Sequence, residues 1–139
     1  MFLNKRKVIF LISIFILVFI LTIDDIKSQE LKVVDGDTIH LNGEKIRFKG
    51  IDTPELKQIC IKDGSKNRCG ETAKQILINK IGDNRVECIR EGRDQYQRTL
   101  AECFVNDESL SSYLVKSGYA FAYRKYSKKF INDENYARG

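Results

Sequence analysis

The sequence predicts an α+β domain, mainly β: a small five-stranded Greek-key barrel with two to three short helices. Three observations carry that expectation. Short runs rich in β-branched and aromatic residues alternate with glycine-containing turns. One stretch between the third and fourth of these runs switches to helical spacing. The 139 residues leave room for a single domain, and an apolar run near the N-terminus takes up part of them.

That run comes first. Lys5, Arg6 and Lys7 precede Val8 to Ile23, in which only Ser13 and Thr22 are even mildly polar. A basic start before such a run is the layout of a secretory signal or a signal anchor. It is slightly short of the roughly 20 apolar residues of a full membrane span, and no A-x-A-like site follows. Residues 1–28 are therefore expected to be a signal peptide or signal anchor. The remaining chain is placed outside the cytoplasm, secreted or periplasmic, or held at a membrane through residues 8–23.

Residues 29–139 hold the domain. Leu31 to Val34 reads as a strand, followed by the Asp35-Gly36 turn and a second strand, Asp37 to Leu41. Asn42-Gly43 is a strong hairpin signal, and Lys45 to Ile51 returns as the third strand. His40, the only histidine, is expected to face solvent from the second strand. A polar loop from Leu56 to Cys69 follows. Ala73, Ile76, Leu77 and Ile81 mark one apolar helical face, with Gly82 as its stop. Arg85 to Arg90 and Thr99 to Val105 read as two more strands around a Gly92 to Gln97 loop. Leu110, Tyr113 and Leu114 mark a short helix ending at Gly118, and a last helix begins near Phe130. Three strands, a helix and two strands is the order of an OB-type barrel, a fold that does not by itself assign a function.

Cysteine usage and charge narrow the setting. The four cysteines, Cys60, Cys69, Cys88 and Cys103, lack paired zinc-ligand spacing. In an exported small domain they read as two disulfides. Three pairings are possible. Cys88 and Cys103 lie symmetrically about Gln95 and Tyr96, as facing hairpin positions would, which leaves Cys60 with Cys69. Beyond residue 28 the chain carries 20 basic and 17 acidic residues, a net charge of +3. That is too mild to identify a nucleic-acid binder.

The chemistry concentrates at one rim. If the second and third strands pair through Asn42-Gly43, Asp37 at the start of one lies beside Asp52 at the end of the other. Two carboxylates held together need a cation or a shared proton. With a Thr53 carbonyl added, the all-oxygen set suits a hard cation such as Ca²⁺ or Mg²⁺. Arg47 projects from the strand leading to that rim, and Arg98 comes from the far side of the Gly92 loop. Guanidinium groups are planar, always charged and bidentate towards phosphate. With Glu55 to orient or deprotonate a water, the set fits phosphodiester hydrolysis. Each arginine taken singly reads better as a surface residue or a partner for nearby acids.

Taken in order, V-x-D-G-D-T, R-x4-D-T-P-E and R-D-x-Y-x-R-T-L-A strongly resemble the staphylococcal nuclease (thermonuclease) family. The likeness runs from Leu31 to about Arg138, through L-V-x-S-G-Y-A and the tyrosines after it. It implies that Asp37, Asp52 and the Thr53 carbonyl hold Ca²⁺, and that Arg47, Glu55 and Arg98 are catalytic. It also implies endonucleolytic cleavage of DNA and RNA by a monomer, leaving 3′-phosphate ends. Tyr96 matches a tyrosine near the nucleotide pocket, and Tyr123 aligns, across a gap, with a base-stacking one.

Two departures stand out. Gln97 replaces the glycine usual before the second arginine. The last helix is short, with less cover for the core expected. Two other classes compete: a non-catalytic OB module binding single-stranded nucleic acid, and an exported cation-binding or structural domain. The first has no need of Glu55 beside two aspartates, and the second has no need of both arginines.

Overall fold

The computed structural model describes residues 4–23 and 28–139, with side-chain surroundings for residues 4–18 and 28–139. The exit of the expected export segment through residues 24–27 lies outside the described residues. Helix α1, Lys5–Ile23, carries the apolar run, and Ile9, Phe10 and Phe15 on it are exposed. No helix among the described residues is long and apolar enough to cross a membrane.

The domain is mixed α+β. Strands β1 (Leu31–Val33), β2 (Thr38–Leu41) and β3 (Glu44–Phe48) form an antiparallel meander. Asn42 and Gly43 both take positive φ, 51° and 81°, as the two-residue hairpin between β2 and β3 requires. β4 (Ile51–Asp52), β5 (Cys60–Lys62) and β6 (Ser65–Asn67) follow, then α2 (Cys69–Ile81), β7 (Glu87–Arg93) and β8 (Thr99–Val105). β8 pairs parallel with β3 and antiparallel with β7, giving the sheet order β1-β2-β3-β8-β7. The chain ends with β9 (Glu108–Ser109, on β8), α3 (Leu110–Lys116), β10 (Phe121–Ala122) and α4 (Ile131–Arg138).

Among the described residues no strand pairing joins β1 to β7, so by its hydrogen bonds the sheet is open rather than a closed barrel. A side-chain amide ties the segments leading into those two strands. Gln29 Nε2 donates to the Val86 carbonyl at 2.7 Å, and the Val86 N–H donates to Gln29 Oε1 at 2.8 Å. Both backbone groups of Val86 are thereby satisfied without a partner strand.

The core lies between the sheet and the helices. Ile39, Ile46 and Phe48 point into it from β2 and β3, while Ala73, Leu77 and Ile81 form the buried stripe of α2 at i, i+4 and i+8. Leu110 and Leu114 of α3 and Phe130 before α4 complete it. Cys88 and Cys103 are direct cross-strand partners and are bonded, as are Cys60 and Cys69.

Three expectations need correction. The third strand does not run from Lys45 to Ile51: it stops at Phe48, and Ile51–Asp52 pairs with β10 instead. Gly50 makes the break, with φ of 80° and no room for a Cβ, which would sit 2.9 Å from Ser127 Cβ. The Leu56–Cys69 loop is not structureless: β5 and β6 form a small hairpin through Asp63-Gly64, both at positive φ. The strand expected at Arg85–Arg90 lies at Glu87–Arg93, with a register shift between Arg90 and Arg93, where Gly92 has φ of 120°.

Candidate active site

Hairpin register builds the first half of the site. β2–β3 pairing sets Thr38 opposite Arg47, and the Phe48 N–H donates to the Asp37 carbonyl at 2.8 Å, extending the ladder by one rung. Asp37 is thus fixed beside Arg47, with only 3% of its surface exposed. Its Oδ2 accepts from the Thr53 N–H at 3.0 Å and from Thr53 Oγ1 at 2.9 Å, while Oδ1 accepts from Thr38 Oγ1 at 3.2 Å and pairs with Arg47 Nη1. A buried carboxylate demands this many donors. Gly36 lets the turn come this close: a Cβ there would stand 2.8 Å from Thr53 Oγ1.

Arg47 spans both acids, its second terminal nitrogen lying 2.9 Å from Asp52 Oδ1. Asp52 sits on β4 opposite Phe121, and its side chain is 56% exposed. The two aspartates therefore converge on one cation, and that cation is the guanidinium. The same convergence, all oxygen and one acid buried, fits a hard metal ion. Among the described residues there is no cluster of three acid, histidine or cysteine side chains that could hold a metal. A metal here would need backbone oxygen, such as the Thr53 carbonyl, and water to complete its shell.

The second half is a loop organised by Asp94. Its carboxylate accepts from the Tyr96 N–H at 2.9 Å, the Arg98 N–H at 3.0 Å and Arg98 Nε at 2.7 Å. Burial works against its charge, but the backbone and guanidinium of Arg98 and the backbone of Tyr96 outweigh that and hold Asp94 below the usual carboxylate range. Arg98 lies 5.5 Å above the Tyr96 ring, within cation–π range. With Nε committed to Asp94, the terminal nitrogens of Arg98 have no protein partner among the described residues.

Between the halves lies a cleft of about 480 Å³, lined by Arg47, Asp52, Arg98, Tyr96 and Tyr123 among others. Tyr123 reaches it because its N–H donates to the Gly50 carbonyl at 2.9 Å, continuing the β4–β10 pairing. Lys49, Asp94 and Tyr126 also line the cleft and were not singled out from the sequence. For Asp94 a signal existed, its i, i+4 spacing to Arg98 within R-D-x-Y-x-R. Tyr126 packs edge-on against Tyr123 with ring centroids 4.7 Å apart, a contact that no local spacing announces. Asp37, Thr53 and Glu55 do not line the cleft wall: the first two are buried behind Arg47 and Asp52, and Glu55 lies exposed after β4.

Residues 45–138 match the family described as staphylococcal nuclease homologues. The match begins after Asp37 and contains Arg47, Asp52, Glu55 and Arg98. The chain is 34% identical over 97 residues to a thermonuclease from Staphylococcus intermedius, covering 66% of this chain and 56% of that protein. It is 32% identical over 102 residues to an uncharacterized endonuclease from Haemophilus influenzae, covering 70% and 52%. Over 94 residues it is 34% identical to the succinoglycan biosynthesis protein ExoI of Rhizobium meliloti, covering 66% and 49%. The chain spans about half the length of these relatives. Across most of its own length, it belongs to the staphylococcal nuclease homologue family.

Proposed function

We propose that this protein is a calcium-dependent endonuclease that hydrolyses phosphodiester bonds of DNA and RNA, leaving 3′-phosphate ends. The observation that carries the reading is the convergence of Asp37 and Asp52 on one cationic centre at the edge of a cleft whose wall includes Arg47, Arg98, Tyr96 and Tyr123. Asp37, Asp52 and the Thr53 carbonyl would hold Ca²⁺, which supplies positive charge against a phosphoryl oxygen. Arg98 offers its terminal nitrogens to the same phosphate, already aimed by Asp94. Arg47 has five N–H donors, and those not engaged by the acids or by the Ile51 carbonyl are open to an anion in the cleft. Tyr96 and Tyr123 present rings to bases or sugars. Glu55 orients or deprotonates the attacking water.

The protein acts, in this proposal, as an exported monomer, secreted or periplasmic or held at a membrane through residues 8–23. The apolar α1 behind a basic start and two disulfides in so small a domain support export. A module that binds nucleic acid without cutting it is favoured by one fact, the position of Glu55 outside the cleft wall. One assay separates the two. Plasmid DNA and single-stranded RNA are incubated with calcium and with excess chelator. Cleavage confined to the calcium arm is expected, at calcium concentrations on the order of 10⁻⁴ to 10⁻³ M, as for weak extracellular sites. Binding without cleavage in either arm supports the non-catalytic module, and cleavage unchanged by chelator overturns the metal assignment.

A further inference from the structure

Glu55 is held from behind, through its backbone. Gln58 engages both of its main-chain polar groups: Gln58 Oε1 accepts from the Glu55 N–H at 3.0 Å, and the Gln58 N–H donates to the Glu55 carbonyl at 2.7 Å. Two residues further on, Cys60 opens β5 and is bonded to Cys69, the first residue of α2. The next residue, Gly70, is buried directly against Glu55. A Cβ at Gly70 would fall 1.8 Å from the Glu55 carbonyl oxygen and 2.7 Å from that of Leu56, so only glycine lets the turn and the helix meet.

The hairpin that connects these points has no packing of its own to hold it. Residues 61–68 are all exposed, and Ile59 and Ile61 leave 58% and 76% of their surfaces in water. Two strands of three residues each are marginal alone. Apolar burial therefore cannot fix the Glu55 turn on α2, whereas a covalent tie can.

We propose that Cys60, Cys69, Gln58 and Gly70 form a positioning clamp for Glu55, in which the disulfide substitutes for the missing core of the β5–β6 hairpin. The proposal rests on the reading of Glu55 as the group that acts on water. None of the four residues touches the reacting atoms. They hold the Glu55 backbone against the first turn of α2, and the side chain inherits that position.

The test compares the Cys60→Ser/Cys69→Ser pair, Gly70→Ala and Glu55→Gln, each alone, with the serine pair also placed on the Glu55→Gln background. Cleavage is measured well below each variant's melting temperature and scaled to folded protein. A misplacement of about 1 Å costs on the order of 100-fold, so kcat should fall about 10- to 100-fold in the serine pair and in Gly70→Ala. KM and the calcium requirement should move less than about twofold, because the cleft and the aspartates are untouched. On the Glu55→Gln background the serine pair should cause no further loss, since residues acting as one unit are not additive. Amide hydrogen exchange at Glu55 and Gln58 should accelerate in the serine pair while Thr53 and Ile51 stay protected. If the serine pair and Gly70→Ala keep wild-type kcat while Glu55→Gln is crippled, the clamp is refuted and the site reading stands. If Glu55→Gln itself keeps full turnover, the catalytic reading of Glu55 falls, and the clamp with it.

Discussion

The two sides of the cleft are built on different physics. On one side Asp37 is buried, fixed by a hairpin register and surrounded by donors from Thr38, Arg47 and Thr53. On the other, Arg98 hangs on a loop between β7 and β8 whose shape depends on one carboxylate, Asp94, and on a glutamine in a left-handed conformation. The first side is organised by the sheet. The second is organised by hydrogen bonds local to the loop. On the proposed function both groups are aimed before substrate arrives, so that they meet developing charge without reorganising.

Substitutions at the two aspartates give this contrast its largest expected effect. Asp37→Ala leaves the Arg47 guanidinium and the Thr53 donors without their buried partner. Breaking a buried pair in this way costs about 3–5 kcal/mol, so unfolding by denaturant should shift strongly as activity disappears. Asp52→Ala removes an exposed carboxylate, and its stability should change by about 1 kcal/mol or less. Its activity should return partly at higher calcium. Equal destabilisation by the two substitutions would break the distinction between a buried anchor and an exposed acid.

Next in size is the arginine on the loop side. Arg98→Lys keeps the charge but loses both the Nε bond to Asp94 and the planar fork. Turnover should fall on the order of 100-fold, as for the loss of one charge-stabilising donor, with little change in KM. Stability should change little, because the side chain anchors no core. A variant with wild-type turnover would remove Arg98 from the chemistry.

The same division explains what the sequence disclosed. A two-residue turn at Asn42-Gly43 forces Thr38 opposite Arg47, so the convergence of Asp37 and Arg47 is legible by counting from the turn. The four cysteines were legible for the same reason, since Cys88 and Cys103 sit at equal distance from a loop. The break in β3 was not legible. Ile46 to Asp52 keeps a strand pattern; Gly50 turns the chain at φ of 80°, and Ser127, far away in sequence, occupies the space a side chain would need. The β5–β6 hairpin was hidden by its polarity, although Asp63-Gly64 is a turn signal. Tyr123 reaches the cleft through β10–β4 pairing, a non-local contact of two-residue strands. Glu55 was singled out by its place in R-x4-D-T-P-E, and the contact of its backbone with Gly70 of α2 is one that no local spacing announces.

Gln97 offers a smaller and sharper probe of the loop side. Its φ of 62° is the left-handed conformation, which costs a residue with a Cβ roughly 1–2 kcal/mol. Glycine there relieves the strain but adds freedom to the unfolded chain, worth about 0.5–1 kcal/mol. Gln97→Gly should therefore stabilise the domain by up to about 1 kcal/mol, read from the denaturation midpoint, without loss of turnover. A destabilised variant would mean that the glutamine side chain, not its backbone, holds the loop.

The smallest expected effect is a dependence on acid that belongs to the loop and not to the sheet. Asp94 has a folded-state pKa held below its unfolded value by Arg98 and Tyr96. A group shifted in that direction stabilises the fold fully above its unfolded pKa, about 3.9. The contribution fades as pH falls through the lowered folded value, because the unfolded chain then binds the proton first. Glu44, bonded by Arg90 and Thr99, and Glu134, bonded by Arg124, are shifted the same way. Melting temperature should therefore drop as pH falls below about 4, where the unfolded carboxylates take up protons before the folded ones do. Asp94→Asn should flatten that drop without abolishing it, since Glu44 and Glu134 still titrate. At pH 7 the same variant should already show faster amide exchange at Tyr96 and Arg98, while Asp37 and Phe48 keep their protection. An acid slope identical to wild type would show that Asp94 does not couple the Arg98 loop to folding, and that the loop is held by its backbone alone.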